Sequence, residues 1–463
     1  MNNNKKNGLS HVSLLIIIFL GLLIIIPVFI VLFFRFESEP PTFHITPTPD
    51  TIGADTTLSI TVKDQKSGIK RVWIAILKDQ KETLLFDETL STPFFKGSGI
   101  HDKEVLITIK PRELGFSDGV ANLRIAVWDC AVKDVFKGNY TYTEQKIKID
   151  TRPPSIEVLS RSHNMHLGGA GLVIYRVSEQ VLESGVRVED RFFPGYPDQF
   201  SDKNIYMAFF AIPYNQEGNT DLFLTALDYG KNRSKAGFQY YINKKKIKSD
   251  TIRLSDNFLG WKMPEFETTE VKQGASLKEK FLYVNRTIRQ KSSEALVNAC
   301  SNSTPQILWK GSFLRLPRSA QKAGFADLRT YVYKDKIIDK QTHLGIDLAS
   351  TAHSPIPASN HGKIVLADDV GIYGKTVIID HGLGLFSIYS HLGRSTVTPG
   401  QEVKKGEIIG NTGTTGMAGG DHLHFGVLIH DTFVNPLEWW DATWIKHNIT
   451  DKISMVTKGE NQR

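Results

Sequence analysis

Between Val12 and Phe34 the chain reads VSLLIIIFLGLLIIIPVFIVLFF, more than twenty residues without a charge. A segment apolar on every side has no face to turn toward water, so it must lie inside protein or lipid. As a helix at ~1.5 Å per residue it crosses a ~30 Å hydrocarbon layer with length to spare, and Pro27 is a kink that a membrane helix tolerates. The run is too long for the apolar part of a cleaved leader, and FRFESEPP behind it offers no small-x-small cleavage site. The pattern predicts an uncleaved transmembrane signal anchor over 12–34 behind a cytoplasmic tail over 1–11. Lys5 and Lys6 face a single Arg35 on the far flank, which places everything after the anchor outside the cytoplasm.

That remainder is globular in character. With 41% hydrophobic and 23% charged residues, 463 residues fit neither a disordered nor a fibrous class, and at ~150 residues per domain they suggest about three folding units. A formal charge of +7 is mild at this length; it suits anionic lipid or an anionic polymer and argues for no nucleic-acid partner. The two cysteines, Cys130 and Cys300, exclude a disulfide framework and cysteine-based zinc ribbons, and read as separate buried thiols.

From about Phe43 to Lys246 short alternating strands such as SITVKD, KRVWIAILKD and EVLITIK are separated by Asp, Gly, Lys and Asn. RIAVWDCAVKD lines up with FLTALDYGKNR, superposing Asp129 on Asp228, at an offset close to one immunoglobulin-like sandwich. The two prolines of IDTRPPS end one sheet and mark the joint. The expectation is two loosely Ig-like β-sandwich domains, 43–150 and 151–246, serving as spacers or docking surfaces. After Ile247 the period turns helical, with Leu277, Phe281, Leu282, Val284, Ile288, Leu296 and Val297 in register. Residues 247–305 are therefore expected as a helical linker.

The chemistry concentrates in the last third, where nine of the fourteen histidines follow residue 340. His343-Leu-Gly-Ile-Asp347 is an HxxxD, His422-Leu-His424 is an HxH inside a strand-like LHFGVLI, and Tyr389-Ser-His391-Leu stands between them. Residues two apart on a strand share a face at ~6.6–7 Å, so His422 and His424 can both look into one small site. Residues four apart on a straight strand lie ~13 Å apart, so for His343 and Asp347 to share a metal the chain must bend, and Gly345 supplies the freedom. Zinc suits two imidazoles and a carboxylate, with an open fourth position for water whose pKa falls toward about 7. Two further side chains are then needed, one to take the water proton and one to steady developing charge, and histidine suits both tasks.

From about Trp309 to Trp440 the stretches HLGIDLAS, PIPASNHGKIVLAD, YGKTVIIDHGLGLFSIYSHL, VTPGQEVKKGEIIGNTGTTG, GGDHLHFGV and VNPLEWW closely resemble the LytM/lysostaphin-type peptidoglycan metallopeptidases. The resemblance implies an antiparallel β-sheet metallopeptidase domain, here 306–445, with a polar tail over 446–463. It implies one zinc ion on His343, Asp347 and His424, His422 as general base, and His391 orienting the water or stabilising the oxyanion. Gly426 stands where the family often has Glu, and Ala326 where Gly is usual; neither removes a ligand. Arg329 and Tyr331 are candidate substrate contacts. His381 reads as a strand-end turn residue, His353 and His361 as loop residues, and His430 and His447 as surface.

The fold class expected is mainly β: a transmembrane helix, two Ig-like sandwiches, a helical linker and the metallopeptidase sheet. The function expected is a single-pass, inner-membrane zinc endopeptidase that cuts peptidoglycan cross-links in the periplasm, a D-alanyl–diaminopimelate bond in a Gram-negative wall. The Ig-like domains would face cell-wall or division proteins. The rival expectation is a non-enzymatic activator of a separate wall hydrolase, built on the same fold.

Overall fold

In Thr56–Lys63 Leu58, Ile60 and Val62 are buried while the residues between them are not. That period of two is what a sheet with one wet face demands. The computed structural model of the protein describes residues 11–90, 98–133, 137–216, 220–244, 247–266 and 274–460; Lys5 and Lys6, on which the expected orientation rests, lie outside them. The chain divides into two compact units, residues 1–153 with 228–232, and 154–227 with 233–463.

The first unit begins with the helix His11–Arg35, whose stretch His11–Ile30 has a mean hydropathy of 3.2 and no part buried in protein; it is long and apolar enough to cross a membrane. Behind it a three-stranded sheet (Thr42–Thr46, Thr56–Lys63, Asp102–Ile109) and a five-stranded one (Thr51–Ile52, Tyr140–Ile149, Gly119–Asp129, Ile69–Lys78, Lys81–Thr89) share one core, with Ile60 and Val105 from the first and Ile74 and Ile125 from the second. The repeat has a physical basis. Asp129, buried at its strand end, accepts from the backbone N–H groups of Ala131 and Asn139 and from Asn139 Nδ2. Asp228 does the same for Asn232, through its N–H at 2.8 Å and its Nδ2 at 2.9 Å. Both cysteines are buried free thiols.

In the second unit the strands between Ile156 and Ala236 form a three-stranded and a four-stranded sheet, apart from His163–His166, which pairs in parallel with Tyr240–Asn243. Their core runs without a break into that of the C-terminal sheet. Phe209 meets Trp439 with ring centroids 6.0 Å apart, Glu438 Oε2 accepts from Ala170 N, and Lys452 Nζ donates to the Leu172 carbonyl at 2.9 Å. The second β segment is thus part of the peptidase body. Residues 247–305 open not as helix but as a strand, Ser249–Leu254, parallel to Leu328–Tyr333. The helices Asp256–Lys262, Leu277–Tyr283 and Arg289–Ala299 follow; Ser276 and Glu279 close a reciprocal cap at the start of the second. The polar tail is helical over Asp451–Glu460, because Ile449, Lys452 and Val456 fall on one helical face and bury it.

The C-terminal sheet is antiparallel and ten-stranded, its main path running Ala320–Ala323, Ile346–Ala349, Leu423–Ile429, Leu385–Ser395, Lys375–Asp380, Gly362–Asp369 and Glu402–Val403.

Candidate metal centre

Three neighbouring strands deliver the site. Ile346–Ala349 pairs with Leu423–Ile429 so that Asp347 lies opposite His424, and Leu385–Ser395 flanks that strand with Ser390 opposite His424. His343 stands just after the strand Lys336–Thr342, at the bend before Ile346. Gly345 does not owe its place there to a left-handed φ: a Cβ on it would lie 2.5 Å from His424 Nε2, so the bend needs its empty space rather than its torsional freedom. His391 lies in a bulge, where the pairing of Leu385–Ser395 with Lys375–Asp380 skips, and takes φ +62°. A non-glycine residue in that region is strained, and bulges of this kind re-aim a side chain.

The donor atoms converge. His343 Nε2 lies 3.0 Å from both Asp347 Oδ1 and His424 Nδ1, and those two are 2.9 Å apart. Ligands at ~2.0 Å from a tetrahedral zinc would be separated by about 3.3 Å, so the triangle fits such an ion with little movement. The tautomers fit as well. His343 Nδ1 donates to the Gly324 carbonyl at 2.8 Å, which leaves Nε2 a bare lone pair. His424 turns Nδ1 to the cluster and keeps Nε2 buried without a partner. Two lone pairs and a carboxylate oxygen facing one another at 3 Å call for a cation among them.

His391 Nδ1 donates to Thr415 O at 2.9 Å and His422 Nδ1 to Gly420 O at 2.8 Å. Each therefore turns Nε2 inward; the rings are 4.8 Å apart, and His422 Nε2 is 3.6 Å from Asp347 Oδ1. All five residues expected at the site meet in one cavity of about 380 Å³. Burial opposes ionisation of Asp347, but the imidazoles around it, His343 first and then His422 and His424, outweigh burial and hold the carboxyl well below its usual range. Burial and the neighbouring His422 and His424 push His391 well below 6.5, and burial brings His424 to about 4. On His422 burial is outweighed by the Asp347 carboxylate, which raises it.

Arg329 and Tyr331, the candidate substrate contacts, both line this cavity. Arg329 Nη2 donates to Asp347 Oδ2 at 2.6 Å, leaving Oδ1 to the imidazoles. Tyr331 is 6% exposed and lies against Phe281. Sequence reading missed the apolar wall that Ile252, Leu254, Phe258 and Phe281 bring from 247–305, and Tyr373, whose ring is 5.5 Å from His424. Their only sequence signal is helical or strand periodicity. Of the other histidines, His353, His361 and His447 are exposed. His430 is not a surface residue: it stacks on Tyr196 and burial lowers it to about 4. His381 is buried between His361 O and Ser387 Oγ.

A His/His/carboxylate triad with two more imidazoles beside it is a donor set that could hold a metal ion. Residues 341–436 match the model of Peptidase family M23, and the C-terminal part of the chain is an M23 domain of the LytM/lysostaphin type. An uncharacterized metalloprotease of Haemophilus influenzae is 30% identical over 206 residues, 43% of this chain and 41% of its own. The DD-carboxypeptidase/endopeptidase Mpg of Neisseria meningitidis is 39% identical over 95 residues, 20% of this chain and 22% of its own. Peptidoglycan DD-endopeptidase ShyA of Vibrio cholerae is 33% identical over 96 residues, 21% and 22%. The chain covers less than half the length of these relatives. Among solved structures, a putative M23 peptidase from Pseudomonas aeruginosa aligns with 60% of this chain and 94% of its own at 20% identity, with a TM-score of 0.39.

Proposed function

We propose that the chain is a membrane-tethered zinc endopeptidase that hydrolyses peptide cross-links of cell-wall peptidoglycan from the periplasmic side. The observation that carries the reading is the triangle of His343 Nε2, Asp347 Oδ1 and His424 Nδ1, with sides of 2.9–3.0 Å, and the His391 and His422 Nε2 atoms turned toward the same cavity. The relatives named as peptidoglycan DD-endopeptidases support the substrate, and the apolar helix supports the tether. The D-alanyl–diaminopimelate cross-link of a Gram-negative wall is the bond this reading assigns.

His343, Asp347 and His424 would hold one zinc ion, which supplies Lewis acidity and brings the pKa of water toward about 7. His422, oriented by Gly420 O, takes the water proton on Nε2 and passes it to the leaving amine. His391, fixed by Thr415 O and its strained backbone, orients the water through Nε2. Arg329 holds Asp347 by its outer oxygen and keeps the carboxylate ionised. The apolar wall of Ile252, Leu254, Phe258 and Phe281 limits water around the scissile bond.

The test is mass spectrometry of muropeptides released from purified sacculi by the full chain, with zinc content measured alongside. Release should stop with chelator and return with zinc. His343→Ala should lose both zinc and turnover, whereas His422→Ala should keep zinc and lose turnover by about 10²–10⁴-fold. A wild-type chain that binds zinc yet releases no muropeptides would sink the enzyme reading and leave the activator.

A further inference from the structure

Two serines tie the helix Arg289–Ala299 to the turn Gly371–Tyr373 that borders the metal cavity. Ser292 Oγ accepts from Ile372 N at 3.1 Å, and the Ser293 hydroxyl is hydrogen-bonded to Tyr373. Residues four apart on a helix lie one above the other, so Arg289 stands on the same side as Ser293. The half-buried Arg289 side chain is fixed by its own helix: Nε donates to the Asn285 carbonyl at 3.1 Å and Nη2 to Asn285 Oδ1 at 2.7 Å. Asn285 is itself fully buried and donates to Asp339 Oδ2 at 2.9 Å. The guanidinium is thus oriented in advance, and its Nη1 is left over.

Beside the metal cavity lies a second one of about 490 Å³, and Arg289, Leu344 and Tyr373 line both. Leu344 directly follows His343, so the two cavities meet next to a metal ligand. Arg286 and Lys340 also line the second cavity, and among the described residues no Asp or Glu does. Arg286 is answered from outside it, with Nε 3.2 Å from Asp339 Oδ1. Arg289 and Lys340 have no carboxylate partner among the described residues. A partly desolvated guanidinium that is already held in place, with no counter-charge, loses little entropy on taking an anion and binds it more strongly than an exposed one would.

We propose that this second cavity is a substrate subsite for a free carboxylate, read by Arg289, with Lys340 adding attraction from the rim. The inference rests on the endopeptidase reading above and narrows its substrate: the peptide must carry an anionic group near the bond that is cut. Diaminopimelate meets that requirement, because it has two carboxyl groups and one stays free when the residue is built into a cross-link. The free carboxylate accepts a charge-assisted bond from Arg289 Nη1. A carboxamide has nearly the same shape but no charge, and half of its polar end is a donor that a guanidinium cannot answer. The subsite therefore separates cross-links whose diaminopimelate carboxylates are free from those in which these groups are amidated. Lys340 is exposed and acts mainly by steering the anion in.

The experiment offers the full zinc-loaded chain, in detergent, two peptide-cross-linked muropeptide dimers: one with its diaminopimelate carboxylates free, the other with them as carboxamides. The parent should cut the free-carboxylate dimer with a kcat/KM about 10–100-fold higher, the range for a hydrogen bond to a charged group. Arg289→Gln should bring that ratio close to one, and Arg289→Lys should restore part of it. Lys340→Gln, a change at an exposed side chain that spares the fold, should lower the ratio by a smaller factor, and less so at high salt. A merely structural role for Arg289 would slow both dimers alike and keep the ratio, which would overturn the proposal. A parent that cuts both dimers equally well would overturn it too, while the endopeptidase reading stands; a parent that cuts neither would overturn both.

Discussion

Gly345 is the residue whose task differs most from what its type suggests. A glycine between two ligands reads as a hinge, yet its backbone φ lies outside the left-handed region and the constraint is its hydrogen side chain, pressed against the His424 ring and the Phe425 carbonyl. Gly345→Ala should therefore tilt His424 and weaken zinc by about 10–100-fold, the range found when support behind a ligand is lost. Chelator competition measures it; unchanged affinity would show that the ring moves aside freely. Arg329→Met should leave Asp347 Oδ2 unpaired and lower zinc affinity over a similar range, and Arg329→Lys should recover only part, because an ammonium lacks the guanidinium's planar fork. The five histidine and aspartate positions were legible because each short motif carries its own spacing. The Arg329–Asp347 pair was not: it depends on the hairpin Leu328–Tyr333 with Lys336–Thr342 folding back toward Ile346–Ala349, which no local pattern encodes.

At the scale of elements, alternation revealed the strands of the first 150 residues, since one face of each sheet is wet. The last helix was hidden by its composition. Asp451–Glu460 has few apolar residues, and one of the side chains it buries is a lysine. Lys452 is 4% exposed, and burial lowers it from 10.5 to about 8. The unfolded chain holds this proton up to ~10.5 while the folded chain releases it near 8, so between those values the unfolded state binds more protons and stability rises with pH. Below pH 8 the charged form remains buried, at a cost of about 3 kcal/mol. Wild-type unfolding free energy should climb from pH 8 toward 10 by an amount of this order that Lys452→Met lacks. The variant also loses the bond to Leu172 O, so its stability at any single pH is less informative than the slope. Denaturant unfolding at four pH values measures it, and parallel curves for the two proteins would refute the buried-cation account.

Over the whole molecule the boundary that composition places near residue 246 is not a boundary in packing. The second β segment and the metal-bearing sheet are joined through side chains more than two hundred residues apart, and no window of sequence carries that information. Trp439 is the centre of the joint: fully buried, it meets Phe209 from the second β segment, Trp309 and Phe313 from the lead-in to the peptidase sheet, and Trp444 from the following helix. Removing an indole from such a place leaves a cavity that costs about 3–5 kcal/mol. If 154–227 and 233–460 are one cooperative body, Trp439→Ala should lower the stability of both parts by the same amount, although the residue belongs to only one. Hydrogen exchange reads this directly, through amides in Ala170–Val177 and in Leu385–Ser395, two strands far apart in sequence and both largely buried. Equal loss of protection is expected at both. Loss confined to the second strand would restore the spacer-and-enzyme division that the sequence suggests, and with it a peptidase domain able to fold from residue 306 onward.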